Sequence, residues 1–331
     1  MAVIGFVERC VRGCLLSWSV GGDAVIMHRL VGRVLRERDR ASGRWTTTLA
    51  GALDMLEPQL FDESRAWAQR DLGSDLVSQI EALWEATIVA PPDGDIMARE
   101  LRARRWGVRQ LRAAADLTRA IDLGLRVVAD CESILGADHP DTLGSRHGLA
   151  SAYQAAGRLE EAIPLYERNI TAYEQVLGAD HPNTLRSRNN LAVAYQAVGR
   201  LEEAIPVLER AVAGIADSER VLGADHRNGL TARNNLAVAY QAAGRLAEAI
   251  LLFEGTLADC ERLLGADHRD TLRSRHSLAD AYLSAGRLDQ AIPLLERTLT
   301  DSERVLGADH PATLTSRNKL AEAHRSAGRG A

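Results

Sequence analysis

Five histidines are the residues that metal chemistry would use first, because neutral imidazole is the commonest protein ligand for metal ions. Each one ends a copy of Leu-Gly-Ala-Asp-His, and the copies begin 42, 45, 42 and 42 residues apart. The histidines are His139, His181, His226, His268 and His310. Side chains that belong to separate repeats do not converge on one ion, as a zinc site requires. We therefore predict that they serve the linkers and cap helices, and that the chain holds no metal.

Patterns for nucleophilic or phosphate chemistry are sparse. Ser316 and Lys319 have the S-x-x-K spacing of an acylating serine, but they lie in a Ser-Arg-Asn block that the repeats share. Cys10 and Cys14 are one helical turn apart, without a second pair that would complete a metal site. Lys319 is the single lysine among 40 basic residues, and the sequence has no phosphate-binding G-x-x-x-x-G-K-[ST] run. We expect a protein that is not an enzyme and uses no cofactor.

Composition and charge narrow the class further. The 331 residues are 46% hydrophobic and only 4% aromatic, which favours close-packed helices. A net charge of −5 provides no overall basic field for nucleic acid or anionic lipid. Glu8, Arg9 and Arg12 interrupt the apolar opening stretch, so we predict neither a signal peptide nor a membrane helix. Four cysteines without C-x-x-C spacing are typical of reduced thiols in a cytoplasm.

The elements that must position the repeated residues are helices. In one repeat Leu159, Ile163 and Tyr166 recur at steps of three or four residues, which places them on one helical face. A preceding helix is predicted to begin after Asp138, with this aspartate as its cap, and to end at Gly157. Each repeat is therefore a helical hairpin. Because one hairpin cannot bury both of its faces, successive hairpins must stack into an all-α solenoid.

Residues along these predicted hairpins resemble the tetratricopeptide pattern of small residues at helix crossings and larger ones between them. They are Leu149, Ala150, Tyr153, Gly157, Ala162 and Tyr166. The 42-residue length and the Leu-Gly-x-Asp-His-Pro linker are similar to those of the kinesin-light-chain subtype. The resemblance implies a superhelical array of antiparallel helix pairs over 98–331, with about five hairpins and a C-terminal capping helix. One spacing of 45 places three extra residues near 213–216, which would lengthen one second helix by about a turn.

The amino-terminal region carries a second resemblance. Two β-prone runs, 15–20 and 24–27, flank Gly21-Gly22-Asp23 and predict a β-hairpin, followed by a helix from His28. Met27 and His28 resemble the Met-His-Asp motif at the winged-helix end of NB-ARC regulators, the STAND ATPases, although Arg29 replaces the aspartate. The resemblance implies a histidine beside bound ADP, which is vestigial here without a phosphate loop. It also divides the chain into a winged-helix remnant (1–43), a helical linker region (44–97) and the solenoid (98–331).

Polar side chains recur on the predicted first helices, at positions that line the groove of tetratricopeptide arrays. They are His147, Gln154, Arg186, Asn189, Asn190, Gln196, Asn234, Asn235, Gln241, Arg273 and His276. Side-chain amides both donate and accept, so they can pair with the backbone of an extended peptide. We predict that this stripe binds a protein or an extended peptide. The alternative is a simply hydrated polar face.

Two further sets of residues recur. Cys131 and Cys260 share the repeat position of Tyr173, inside the second helix, and are predicted to be buried core residues. An arginine occupies one position of each first helix: Arg146, Arg188, Arg233, Arg275 and Arg317. These arginines have two open interpretations, which are ion pairs with acidic doublets such as Glu160-Glu161 and Glu202-Glu203, or positive potential in the groove.

These patterns predict a cytoplasmic, non-enzymatic scaffold or sensor. The second resemblance implies the ligand-sensing part of a bacterial STAND-type signalling regulator. The alternative is a regulatory subunit that completes a nucleotide-dependent switch together with a separate NB-ARC ATPase chain. The partners we expect are a protein or peptide, a second copy of the chain, or such an ATPase domain, and no membrane.

Overall fold

A computed structural model describes residues 16–18, 25–27, 37, 39–89, 91–92, 94–222 and 226–329. The chain divides into two compact units, Met1–Ala129 and Asp130–Ala331, which we name the amino-terminal and the carboxy-terminal unit. The division falls inside a helix. The domain boundaries predicted at residues 43 and 97 stay predictions.

The described elements of the amino-terminal unit are two short strands, three α-helices and two 3-10 turns (Glu57–Gln59 and Glu63–Arg65), and a fourth α-helix crosses the division. They are β1 (Leu16–Trp18), β2 (Val25–Met27), α1 (Trp45–Leu56), α2 (Arg70–Val89), α3 (Gly94–Ala113) and α4 (Leu117–Leu135). The carboxy-terminal unit continues with helices that alternate as first and second members of hairpins. They are α5 (Pro140–Ala155), α6 (Leu159–Val176), α7 (Pro182–Ala197), α8 (Leu201–Leu222), α9 (His226–Ala242), α10 (Leu246–Leu264), α11 (Arg269–Ser284), α12 (Leu288–Leu306) and α13 (Pro311–Arg329).

The two strands pair antiparallel, with Leu16 opposite Met27 and Trp18 opposite Val25. Both strands lie inside the two runs that the sequence predicts as β-prone. The helix predicted from His28, and the winged-helix arrangement built around it, fall outside the described residues. The vestigial histidine itself falls outside them as well.

Helix α3 organises the amino-terminal unit by packing against α2 and α1. Arg104 of α3 is only 1% exposed, because its guanidinium lies 4.5 Å from the centre of the Trp84 ring and its Nε donates to Glu81 at 2.6 Å. Trp106 donates its indole N–H to the backbone oxygen of Phe61 at 2.8 Å. This last bond ties the segment between α1 and α2 to α3.

The hairpins of the carboxy-terminal unit follow the predicted helical period. Each of four hairpins buries one alanine from each of its helices completely, so that the two backbones approach closely: Ala150, Ala162, Ala192, Ala204, Ala237, Ala249, Ala279 and Ala291. The turn at Gly157 has a φ of +73°, which a residue with a side chain would adopt only with strain. Cys131 and Cys260 are buried, which confirms their predicted core position.

The histidines of the linkers are helix N-caps. Nδ1 of His139 accepts the backbone N–H of Asp141 at 3.1 Å, and His181 and His268 accept equivalent bonds in their own repeats. The capping role is confirmed for these three, but the prediction that Asp138 caps α5 is wrong. Asp138 lies one residue too early, because Pro140 already takes the first helical position and the N-cap must directly precede it.

The three extra residues lengthen one helix, as predicted. Helix α8 has 22 residues, whereas α6 has 18 and α10 has 19. Ile215, within the added stretch, is buried, so the longer helix keeps its apolar face toward the core. No helix in the described ranges combines the length and apolar character that crossing a bilayer requires.

Candidate functional site

The first helices of successive hairpins touch one another: α5 contacts α7, α7 contacts α9, and α9 contacts α11. We call the polar surface of this layer the first-helix face. All eleven predicted groove residues belong to it, and the structure shows how many of their polar atoms already have partners within the protein.

A ladder of side-chain hydrogen bonds joins neighbouring first helices. His147 of α5 meets Asn190 of α7 at 3.3 Å, and Asn189 of α7 accepts from the Nδ2 of Asn235 of α9 at 2.9 Å. In both pairs, a residue of one first helix bonds to a residue that stands one repeat position further along in the following first helix. We call this relation the ladder rule. Since these amides bridge the repeats, they do not stand free on the surface as a stripe of open ligand contacts would.

Other members of the predicted stripe are also engaged. Gln196 donates to the backbone oxygen of Asn235 at 3.2 Å, and Gln241 donates to the Ser284 hydroxyl at 2.9 Å. Gln154 accepts the hydroxyl of Tyr166 at 2.9 Å, which ties the two helices of its own hairpin together. These amides therefore help to hold the array, whatever else they bind.

The ladder breaks between α9 and α11. By the ladder rule Asn234 should meet the residue at position 277, but a serine stands there, and its hydroxyl donates to the backbone of Arg273 instead. Among the described residues the Oδ1 of Asn234 has no hydrogen-bond partner although it is buried. A cavity of about 10 Å³ lies beside it, lined by Thr231 of α9, Thr256 of α10 and Arg273 of α11 among others. This part of the first-helix face has unused hydrogen-bonding capacity.

Two arginines of the face project toward solvent. Arg186 is exposed and forms no ion pair with a described residue. The Arg273 side chain is 60% exposed and forms one ion pair with a described residue, at 3.5 Å with Asp270, three residues earlier. Each stands one turn before a ladder position, so the two cations flank the region where the ladder breaks.

The contacts of the repeated arginines match neither of the two interpretations that the sequence left open. Four of them pair with a glutamate 14 residues earlier, on the preceding second helix: Arg146 with Glu132, Arg188 with Glu174, Arg275 with Glu261 and Arg317 with Glu303, at 2.5–2.8 Å. Arg233 pairs with Asp259 at 3.1 Å. The doublet glutamates bind turn arginines instead, as Glu161 does with Arg158. Of the two open interpretations, pairing with the doublets is wrong, because those glutamates lie at the opposite end of the second helix.

The repeated tyrosines form a second polar link between hairpins that sequence reasoning missed. Tyr195 donates to Glu167 of the preceding second helix at 2.5 Å, and the guanidinium of Arg200 lies 4.4 Å from the centre of its ring. Burial, reinforced by the carboxylate, raises the pKa of Tyr195 to about 12. Tyr282 binds Glu254 in the same way at 2.6 Å. The recurring Tyr-x-x-x-x-Arg spacing was the signal that could have revealed the ring contact.

At the carboxy-terminal end of the ladder His276 departs from the pattern, because Lys319 occupies the position with which it would pair. Its Nδ1 lies 3.3 Å from the Ser316 hydroxyl, and Lys319 pairs with Asp280. Burial, and then the charge of Lys319, lower the pKa of His276 below its ordinary value. The ionised ring is therefore disfavoured in the folded state.

We expect acid to weaken the α11–α13 contact through His276. The unfolded chain takes up this proton near pH 6.5, above the folded-state pKa, so stability is complete above about pH 7 and falls as pH drops through 6.5. The His276→Asn variant, which carries the asparagine found at this position in α7 and α9, should lose less of its melting temperature between pH 7.5 and pH 5.5 than the parent. Exposed His324 provides the control His324→Asn. Equal acid sensitivity in parent and His276→Asn would contradict the assignment.

The description "Tetratricopeptide repeat" belongs to a family model that matches residues 109–168, 144–217, 230–303 and 285–329, which together exceed half of the chain. The chain belongs to the tetratricopeptide repeat family. In the described ranges no three His, Cys, Asp or Glu side chains form a group suited to a metal ion, and three of the linker histidines, His139, His181 and His268, cap helices as described above.

The solved structures similar to this chain include kinesin-light-chain-like proteins. A candidate kinesin light chain of Podosopora anserina with nearly identical TPR-like repeats is 35% identical, with 62% of this chain and 95% of that chain covered and a TM-score of 0.55. BtubC (BKLC) from P. vanneervenii is 20% identical over 77% of this chain and 94% of its own, with a TM-score of 0.54. RapI in its apo form is 10% identical over 85% and 72%, with a TM-score of 0.60. The last two show a shared fold alone. None of the curated proteins matches the sequence significantly.

Proposed function

We propose that the carboxy-terminal unit is a tetratricopeptide scaffold that binds an extended segment of a protein partner on its first-helix face. The observation that carries the proposal is the break in the ladder, where the buried Oδ1 of Asn234 has no partner among the described residues. An unsatisfied buried acceptor costs free energy, and a ligand N–H or a water that a ligand orders would recover it. In the neighbouring repeats the equivalent polar side chains already bond to one another between first helices, and these bonds hold the face in place.

The two exposed arginines define the chemistry of the segment. Arg186 of α7 and Arg273 of α11 are two first helices apart, and packed helices lie about 8–10 Å from one another, so their cations are roughly 20 Å apart. An extended chain rises about 3.3 Å per residue and covers that span in about six residues. We therefore expect a segment with two acidic side chains about six residues apart, each of which one guanidinium can bind.

To test this proposal, peptides are selected from a random library for binding to the full chain. Recovered peptides should be acidic, and the Arg186→Ala, Arg273→Ala double variant should bind the best of them about tenfold more weakly, since each exposed ion pair contributes up to about 1 kcal/mol. The Arg210→Ala variant removes an exposed arginine from second helix α8 and should bind like the parent.

Asparagine variants would be a weaker test, because Asn190→Ala and Asn235→Ala also remove bonds between repeats. Neutral or basic peptides whose affinity is the same for the parent and the double arginine variant would refute the first-helix face as the site. Affinity lost equally in Arg210→Ala would point to a nonspecific charge effect and would refute it too.

The finer proposal is that this scaffold is the ligand-sensing part of a cytoplasmic STAND-type regulator. Its support is the order of elements, in which a short strand pair ending at Met27 precedes the tetratricopeptide array. In the related alternative a separate NB-ARC ATPase chain supplies the phosphate loop. A library-selected peptide that changes the affinity of this chain for such an ATPase domain would support both, and absence of any complex would refute them.

A further inference from the structure

The amino-terminal unit has an apolar groove that the proposed function does not use. It lies between α1 and α2, has a volume of about 470 Å³, and is lined mainly by apolar side chains such as Trp45, Leu49, Leu83 and Ala86. Met55, on its edge, is 70% exposed. Grooves of this volume are as large as typical ligand sites. Apolar side chains scattered singly over a surface do not form a groove of this kind.

The walls of the groove have the spacing of a helix-binding site. On α1 the lining residues Trp45, Leu49, Ala52 and Leu56 recur at steps of four, three and four residues. On α2 the lining residues Gln79, Ala82, Leu83 and Ala86 follow at steps of three, one and three residues, which also places them on one helical face. Both helices thus turn one apolar face toward the slot, as helices do when a third helix packs between them. From Trp45 to Leu56 the slot runs about 16 Å, which three to four turns of helix would fill.

The exposed charges of α2 beside the groove are acidic, whereas Arg40 lies at the Trp45 end, with its guanidinium 4.7 Å from the centre of the Trp45 ring and a bond to the Ala86 backbone oxygen at 2.8 Å. Asp75 and Glu85 are exposed on α2, near the lining residues Gln79, Ala82 and Ala86, and neither forms an ion pair with a described residue. They stand ten residues apart, or about 15 Å along the helix. A helix seated in the groove would therefore meet negative potential along one flank.

We propose that this groove binds one amphipathic helix of a partner protein, with apolar residues at i, i+3, i+4 and i+7 and basic residues on the flank that meets α2. Apolar burial provides the contact, and the two carboxylates select the charge of the partner. The groove is separate from the first-helix face, so the proposal does not depend on the peptide site of the carboxy-terminal unit.

The test uses the full chain and two synthetic four-turn peptides with identical leucine faces. One carries lysines on the flank and the other carries glutamates at the same places. In fluorescence anisotropy at low salt the lysine peptide should bind at least about tenfold more tightly. The Ala52→Arg variant, which fills the slot, should weaken that binding by tenfold or more. Charge reversal by Asp75→Arg with Glu85→Arg should invert the preference between the peptides.

A matched control is Asp122→Arg, which reverses an exposed carboxylate on α4. It should bind both peptides as the parent does. Circular dichroism checks the folding of each variant, and the exposed pair Asp75 and Glu85 carries the test if Ala52→Arg does not fold. Equal affinity for the two peptides, or binding that the charge reversal leaves unchanged, would overturn the proposal. Dimers of the chain that Ala52→Arg dissociates would assign the groove to a second copy and would overturn it as well.

Discussion

The Arg275→Ala variant should lose about 3 kcal/mol of the free energy of unfolding, near the lower end of the range for a broken buried ion pair. The Arg275 side chain is 0% exposed and binds Glu261 at 2.8 Å and Asp301 at 2.7 Å, so it joins the second helices α10 and α12 through α11. Its removal leaves a cavity and two carboxylates without their cation. The loss stays near the lower end because water still reaches both carboxylates. Urea unfolding followed by circular dichroism measures the change.

Arg273→Ala is the control, because this arginine lies on the same helix but projects into solvent. Its stability should stay within about 0.5 kcal/mol of the parent. In a repeat array the stability of each unit depends on its neighbours, so hydrogen exchange should locate the Arg275→Ala loss in α10 to α12. Equal, small losses in both variants would show that the buried pairs contribute little.

The Tyr195→Ala variant should lose about 3–5 kcal/mol, the usual cost of removing a buried aromatic side chain. Tyr195 is 6% exposed, and its hydroxyl links α7 to Glu167 on α6. The Tyr195→Phe variant keeps the ring and its contact with Arg200 but loses the bond to the carboxylate. It should lose about 1–3 kcal/mol, because hydrogen bonds to charged groups are worth that much. The same unfolding measurement applies to both.

The comparison separates packing from hydrogen bonding at the interface between repeats. If Tyr195→Phe is as unstable as Tyr195→Ala, then the hydroxyl and not the buried ring provides the link. If Tyr195→Ala melts like the parent, the ring is not part of the cooperative core. Tyr282→Phe should repeat the smaller effect two repeats later, since its bond to Glu254 has the same geometry.

Near-identical repeats make their few differences informative. Asn189 pairs with Asn235 in the next repeat, whereas Asn234 has no partner for its Oδ1 among the described residues, and the serine at position 277 donates to the Arg273 backbone instead. One shortened side chain thus leaves a buried acceptor free on the first-helix face. The repeats are alike where they pack, and the candidate ligand contacts lie where they differ.

The sequence by itself determined the helices. Apolar residues at steps of three and four residues predicted the hairpins, and three added residues near 213–216 predicted the long helix α8, because both depend only on the period of the α-helix. Regular spacing of the histidines also showed that they serve single repeats. The cap on α5 was predicted at Asp138 instead of His139, since both residues precede Pro140 and a one-residue shift leaves the pattern unchanged.

Only the tertiary structure decided which polar residues meet. Arg188 had acidic residues available on both sides in the sequence. Glu174 is its partner because the end of the preceding second helix that carries Glu174 lies beside Arg188. The amide ladder depends in the same way on the register between neighbouring first helices, and the groove between α1 and α2 depends on how those two helices diverge. A helical period specifies which face of each helix is buried. It does not specify the rotation and offset between two packed helices, and side-chain hydrogen bonds form or fail over shifts of about 1 Å.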